Sequence, residues 1–140
     1  MARQKITGPT DKELEILNVL WKNGPATVRQ VNRQVNEEIN KIQKTGYTTT
    51  LKLMQIMTDK GLLVRDDSGF QHIYKPASSE ENIQKQLVGS LLERAFSGSA
   101  EKLVMRALSA KKISVEELAR IKNILEKFKN SHEDTKTQRK

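Results

Sequence analysis

Tyr47, Thr48, Thr49, Lys52 and Gln55 stand close together in the stretch TGYTTTLKLMQIMTDKG, residues 45–61. Their polar ends are hydroxyls, an amide and an ammonium. Such groups bond base edges and phosphate oxygens without bringing a fixed negative charge to a polyanion. Lys44 just upstream and Arg65 a little downstream add cations with the reach to touch phosphate. The acid of the stretch, Asp59, lies towards its far end. Thr50, Leu51, Leu53, Met54 and Met57 recur at intervals of three and four, which predicts an amphipathic helix whose polar residues, Lys60 among them, stay outside. Thr48 or a neighbouring threonine is the expected N-cap, and Gly61 is placed to stop the helix. A surface helix carrying solvated lysines has the same pattern, so the segment alone does not decide its role.

Composition narrows the classes. The chain has 140 residues, enough for one ordinary domain or two small modules. Its net charge is +8, which favours a polyanionic partner, either nucleic acid or an anionic membrane surface. The two halves share that excess, so position decides: residues 41–75 hold six basic side chains against three acidic ones. Cysteine is absent, which removes disulfides, thiolate zinc sites and cysteine nucleophiles and suits the reducing cytoplasm. No apolar run reaches the roughly 18–20 residues that span a bilayer, and the first ten residues have no apolar signal core, so neither membrane insertion nor export is expected. A phosphate-binding glycine loop, a metal-spaced His/Asp/Glu set and a Gly-x-Ser-x-Gly elbow are all missing from the sequence. The expectation is a non-enzyme with no cofactor and no metal.

The elements that must hold this helix read in order. Thr10-Asp11-Lys12-Glu13 is a capping box, followed by a helix with Leu14, Leu17, Leu20 and Trp21 on one face and Asn23-Gly24-Pro25 at its end. Trp21 reads as a core anchor. Thr27 caps a second helix, whose Val28, Val31, Val35 and Ile39 face inward while Arg29, Gln30, Arg33 and Gln34 face outward. A polar connector, residues 40–45, leads to the helix described above. Leu62–Arg65 and Phe70–Lys75 then flank Asp66-Asp67-Ser68-Gly69, a β-hairpin pattern in which Phe70, His72 and Tyr74 share a face and His72 is a half-buried strand residue. Helix, helix, polar-faced helix and hairpin make a winged helix-turn-helix.

Pro76-Ala77-Ser78-Ser79 marks a boundary. The expected modules are residues 1–78 for DNA binding and residues 79–130 for dimerisation, with 131–140 a disordered tail. The second module is helical, with Ser97-Gly98-Ser99 as a break and Ser114-Val115-Glu116-Glu117 as another capping box. Its apolar residues, Leu87, Leu91, Leu118, Ile121 and Leu125 foremost, exceed what so small a module can bury within itself, and a homodimer would supply the missing surface. The fold class is thus mainly α with a small β-hairpin wing.

The order of parts resembles the penicillinase and methicillin-resistance repressors, the BlaI/MecI-type family. LEILNVLWKNGPATVRQV, GYTTTLKLMQIMTDKGLLVRD, HIYKP and FSGSAEKLVMRAL carry the resemblance, which covers residues 6–128. It implies a homodimeric repressor of double-stranded, palindromic operator DNA. It also implies a membrane sensor-protease system that leads to a cut in the dimerisation module, within a segment resembling Leu103–Leu108. The cleaved pair in that family is Asn-Phe, where this chain has Arg106-Ala107. A regulator that releases DNA on binding a small molecule is the alternative that the residues leave open.

Overall fold

The computed structural model describes residues 8–38 and 44–138, with side chains described for 8–37 and 44–132. The order of elements is α1 (Asp11–Asn23), α2 (Val28–Glu38), α3 (Tyr47–Asp59), β1 (Leu63–Asp66), β2 (Ile73–Pro76), α4 (Glu80–Ala95), α5 (Ala100–Ala110) and α6 (Val115–Gln138). The expected class, mainly α with a hairpin, is the class observed.

Both bonds of the first capping box form. Thr10 N–H donates to Glu13 Oε1 at 2.9 Å, and Glu13 N–H donates to Thr10 Oγ1 at 3.2 Å. Ile16, Leu17, Val19 and Leu20 then turn one face of α1 into the core. Gly24, at φ +93°, takes a backbone conformation that side chains disfavour and ends the helix with its N–H on Leu20 O. A second capping box opens α2, because Gln30 reaches back to Thr27 N–H at 2.9 Å while Thr27 Oγ1 accepts from Gln30 N–H at 3.2 Å. Val28, Val31 and Val35 are buried as expected. Ile39, the fourth member of that stripe, and connector residues 40–43 lie outside the described residues.

α3 departs from expectation at its start. It begins at Tyr47 with Gly46 as N-cap, so neither Thr48 nor its neighbours cap it. The reason is tertiary. Thr50 is buried and its Oγ1 accepts from Asn32 Nδ2 at 2.9 Å, a position it reaches only if the helix is already under way. At the other end Leu62 N–H bonds Met57 O and Gly61 N–H bonds Thr58 O, the pair of bonds that defines a Schellman stop. Gly61 sits at φ +84°, as the sequence predicts for a terminating glycine.

β1 and β2 are antiparallel, with Leu63 opposite Pro76 and Arg65 opposite Tyr74. Ala26 adds a third, single-residue rung: its N–H donates to Tyr74 O at 3.0 Å and its carbonyl accepts from Tyr74 N–H at 2.8 Å. Tyr74 therefore lies between two partners and is buried, and it joins Leu17, Leu20, Val31, Met54, Met57 and Leu63 in one core. Removing side chains of this size from water is worth roughly 1.5–3 kcal/mol each. Trp21, packed at the edge of that core, donates its Nε1–H to Ser78 O at 3.1 Å. The second strand starts at Ile73, not Phe70. Phe70 is wholly exposed, and His72 is an exposed loop residue bound through Nδ1 to Asp67 Oδ1 at 2.7 Å. The loop closes on its own polar groups, including Ser68 N–H on Asp66 Oδ1, so it has no need to extend the ladder.

Ser79 caps α4 through Asn82 N–H. The chain divides into two compact units, residues 1–91 and 92–140, with the division inside α4 and past the sequence boundary at 78/79. Ile83, on α4, is buried in the first unit. In the second unit Ser99 caps α5 and Ser114 caps α6, each oxygen accepting from an amide of the first turn. None of its described side chains is buried. α6 runs to Gln138, beyond residue 131 where the sequence reading places a tail, and neither glycine nor proline occurs between Val115 and Gln138 to stop it.

Candidate nucleic-acid interface

With Thr50, Met54 and Met57 buried, the opposite side of α3 carries Thr48, Lys52, Gln55 and Asp59 at intervals of four, three and four. These four form one exposed row along the helix. Thr49 and Ile56 flank it on one side and Tyr47 on the other, all exposed. Ile56 escaped the sequence reading, which counted hydrogen-bonding groups only. At 43% exposed it offers an apolar contact of the kind a thymine methyl accepts. Asp59 closes the row with a negative charge, so the end of the helix nearest Tyr47 is the one suited to approach phosphates.

Two asparagines set the entry to that end. Asn32 and Asn36, one turn apart on α2, both donate Nδ2 to Thr45 O, at 2.9 and 3.0 Å, and Asn36 Oδ1 accepts Thr45 N–H at 2.8 Å. Asn32 also holds Thr50. Gly46 contributes no capping side chain, which leaves the first amides of α3 facing outward with the positive end of the helix dipole. Lys44 is exposed here, and its Nζ donates to Asn36 O at 3.2 Å in the last turn of α2. The asparagine pair was legible only as polar residues on a helix, since their partner Thr45 lies beyond the helix end, nine and thirteen residues on, where helical spacing no longer applies.

Other cations are less free than the sequence implies. Lys60 does not face a ligand: its Nζ lies 2.9 Å from both carboxylate oxygens of Glu13, which is buried at the start of α1. A buried carboxylate demands a cation, and Lys60 is the one that the Schellman turn brings within reach. Arg65 donates through Nε to Asp67 Oδ1 at 2.8 Å. That hydrogen bond, with a second to Tyr74, holds its guanidinium above the ordinary arginine value. Asp66 is held below the ordinary aspartate value, first by the backbone N–H of Ser68 and then by its hydroxyl. On α2, by contrast, the Arg29 guanidinium sits 5.2 Å over the Tyr47 ring.

Two clefts flank α3. One lies between α2, the start of α3 and the hairpin loop, and is lined by Arg29, Gln30, Arg33, Tyr47, Gln71 and His72 among others. The other lies between the second half of α3 and β1, and takes in Gln55, Asp59, Arg65 and Asp67.

The residues expected to pair subunits fall in two places. Leu87 is half-buried and Leu91 exposed in the first unit, whereas Leu118, Ile121 and Leu125 line an apolar groove on α6 with Leu108 and Val115. Arg106 and Ala107 are exposed within α5. Among the described residues no cluster of His, Asp and Glu is arranged to hold a metal ion, and no helix is long and apolar enough to cross a membrane.

Three helices, a hairpin beside the third, and a hydroxyl- and amide-bearing outer row define a winged-helix transcription regulator that binds DNA. The chain belongs to the penicillinase repressor family, which it matches over residues 9–127. It is 28% identical over 127 residues to the Penicillinase repressor of Bacillus licheniformis, covering 91% of this chain and 96% of that protein. Comparison with solved structures finds a MarR family protein from Bacillus stearothermophilus at TM-score 0.47 and 17% identity, over 89% of this chain and 75% of that one.

Proposed function

We propose that this protein is a cytoplasmic repressor that binds a palindromic operator as a homodimer and is switched off by proteolysis of its dimerisation module. The observation that carries the DNA-binding part is the exposed row on α3 in a chain of this family. Lys52 and Gln55 read base edges or phosphates in the major groove, Thr48, Thr49 and Tyr47 contact DNA at the helix start, and Lys44 adds charge at the rim. Arg65 contributes less, because Asp67 already occupies its Nε.

Pairing is supported by the second unit, whose α5 and α6 expose Met105, Val115, Leu118, Leu125 and Phe128. A second copy covering these residues gives the repressor two α3 helices, one for each half of a palindrome, and Leu87 and Leu91 on α4 are the pairing residues proposed in the first unit. Release follows from a cut within Leu103–Leu108, at Arg106-Ala107 in this chain, directed by a membrane sensor-protease. α5 has no buried side chain and follows a left-handed bend at Ser97 and Gly98, so opening it locally meets little resistance.

Footprinting on the DNA upstream of the protein's own gene tests the reading. The expected result is a protected palindrome, with Lys52→Ala and Thr49→Ala each weakening binding by about 1–3 kcal/mol. Wild-type affinity in both variants overturns the assignment of α3. Intact protein throughout derepression, read by mass spectrometry, overturns proteolysis and favours release by a small molecule.

A further inference from the structure

A winged helix that reads a major groove with α3 and lays its hairpin over the neighbouring minor groove must let one phosphodiester ridge pass between the two elements, because that ridge is what separates the grooves. The structure has a cleft on each side of α3 next to the hairpin, and they differ in charge. The cleft beside β1 holds Asp59 and Asp67, and its cation, Arg65, is bound to Asp67 at 2.8 Å. The cleft beside α2 has no carboxylate in its lining and has two arginines, Arg29 and Arg33, one turn apart. Among the described residues neither arginine is ion-paired. Arg29 is held in place by the Tyr47 ring beneath it, and Gln71 and His72 form the opposite wall from the hairpin loop.

We propose that the cleft walled by Arg29, Arg33 and Tyr47 on one side and Gln71 and His72 on the other is the seat of the DNA backbone ridge, so that affinity from phosphate contacts comes from α2 and not from Arg65 on the hairpin. The inference rests on the DNA-binding function proposed above and adds to it the groove that the backbone follows. Arg29 and Arg33 neutralise successive phosphates. Tyr47 keeps the Arg29 fork from folding back, which lets a single side chain serve both the end of α3 and the ridge. Asp59 repels phosphates from the opposite cleft, whose cation Arg65 is occupied by Asp67; the same Asp67 Oδ1 bonds His72 at 2.7 Å, so the charge on the α2 side comes from Arg29 and Arg33 and not from the loop wall.

Counterion release distinguishes these roles, since each phosphate neutralised contributes about 0.9 to the slope of log affinity against log salt. The experiment uses the full-length protein and a fluorescent mixed-sequence duplex of 30 base pairs, on which backbone contacts act without an operator, titrated between 50 and 200 mM salt (about the range over which such contacts weaken). Arg29→Ala and Arg33→Ala are each expected to lower the slope by about 1 and to weaken binding equally on duplexes of different sequence, whereas Arg33→Lys and Arg65→Ala keep the wild-type slope. Wild-type slopes in both arginine-to-alanine variants, or a slope lost in Arg65→Ala instead, overturn this assignment while leaving DNA binding itself intact. Absence of salt-dependent binding by the wild-type protein overturns the DNA-binding function, and this inference with it.

Discussion

The carboxamides of Asn32 and Asn36 close on Thr45 from one helix, and so decide where α3 begins and which amides it presents. Asn36→Ala removes the carboxamide oxygen that accepts the Thr45 N–H and one of the two asparagine donors to the Thr45 carbonyl, which Asn32 still holds. The expected cost is about 1–3 kcal/mol in urea unfolding, together with weaker DNA binding even though Asn36 is not itself proposed to touch DNA. Unchanged stability would show that water replaces the asparagine freely. Asp66 offers a test by pH. Its folded value lies below the ordinary aspartate value, so its contribution to the hairpin loop is present above that value and is lost as pH falls through the lowered one. Followed by NMR, the Ser68 amide resonance should keep its folded position while an unbonded aspartate protonates and shift only at lower pH. A midpoint in the ordinary range would remove the Ser68 amide as the cause.

At the level of elements, the ion pair between Lys60 and Glu13 fastens the end of α3 to the start of α1. Lys60→Ala leaves a buried carboxylate whose remaining bond is to Thr10 N–H. Chemical denaturation should register a loss of about 1–3 kcal/mol, discounted towards the lower end because Lys60 is 44% exposed. The DNA salt slope, in contrast, should stay at the wild-type value, since Lys60 faces Glu13. A reduced slope with unchanged stability would return Lys60 to the interface. This distinction matters because lysines on a recognition helix invite assignment to DNA by charge alone, and here one of the two on or adjoining α3 is a structural cation.

At the scale of the whole molecule, the first unit has a closed core and the second does not. Glutamates at Leu118 and Leu125 in the full chain should therefore leave the first unit folded by circular dichroism while sedimentation shows a monomer. Loss of the linked half-site should then reduce operator affinity by about 10²–10⁴. A dimer that survives both changes would place pairing elsewhere. A fragment of residues 1–91 is expected to fold alone. One ending at Ser79 removes the buried Ile83 and should be less stable by about 2–4 kcal/mol, because the first unit continues into α4.

By itself the sequence determined what depends on short range. The Thr10/Glu13 box, the stripe of Val28, Val31 and Val35, the exposed row of Thr48, Lys52 and Gln55 and the glycine stop at Gly61 follow from three- and four-residue periodicity and capping chemistry, and the presence of a hairpin from two short runs around a turn, all acting between near neighbours. Only the tertiary structure decided the rest. Gly46 rather than Thr48 precedes α3 because Thr50 must meet Asn32 on another helix. Tyr74 is buried while Phe70 is not, because Ala26, far away in the chain, pairs with one and not the other. Lys60 is withdrawn from the free cations by Glu13, which lies on another helix, and Arg29 joins the interface because Tyr47 comes to lie beneath it. In each case a local pattern shows which side chains are outward or charged. Which of them remain available to a ligand depends on partners brought close by packing, and sequence spacing carries no information about those distances.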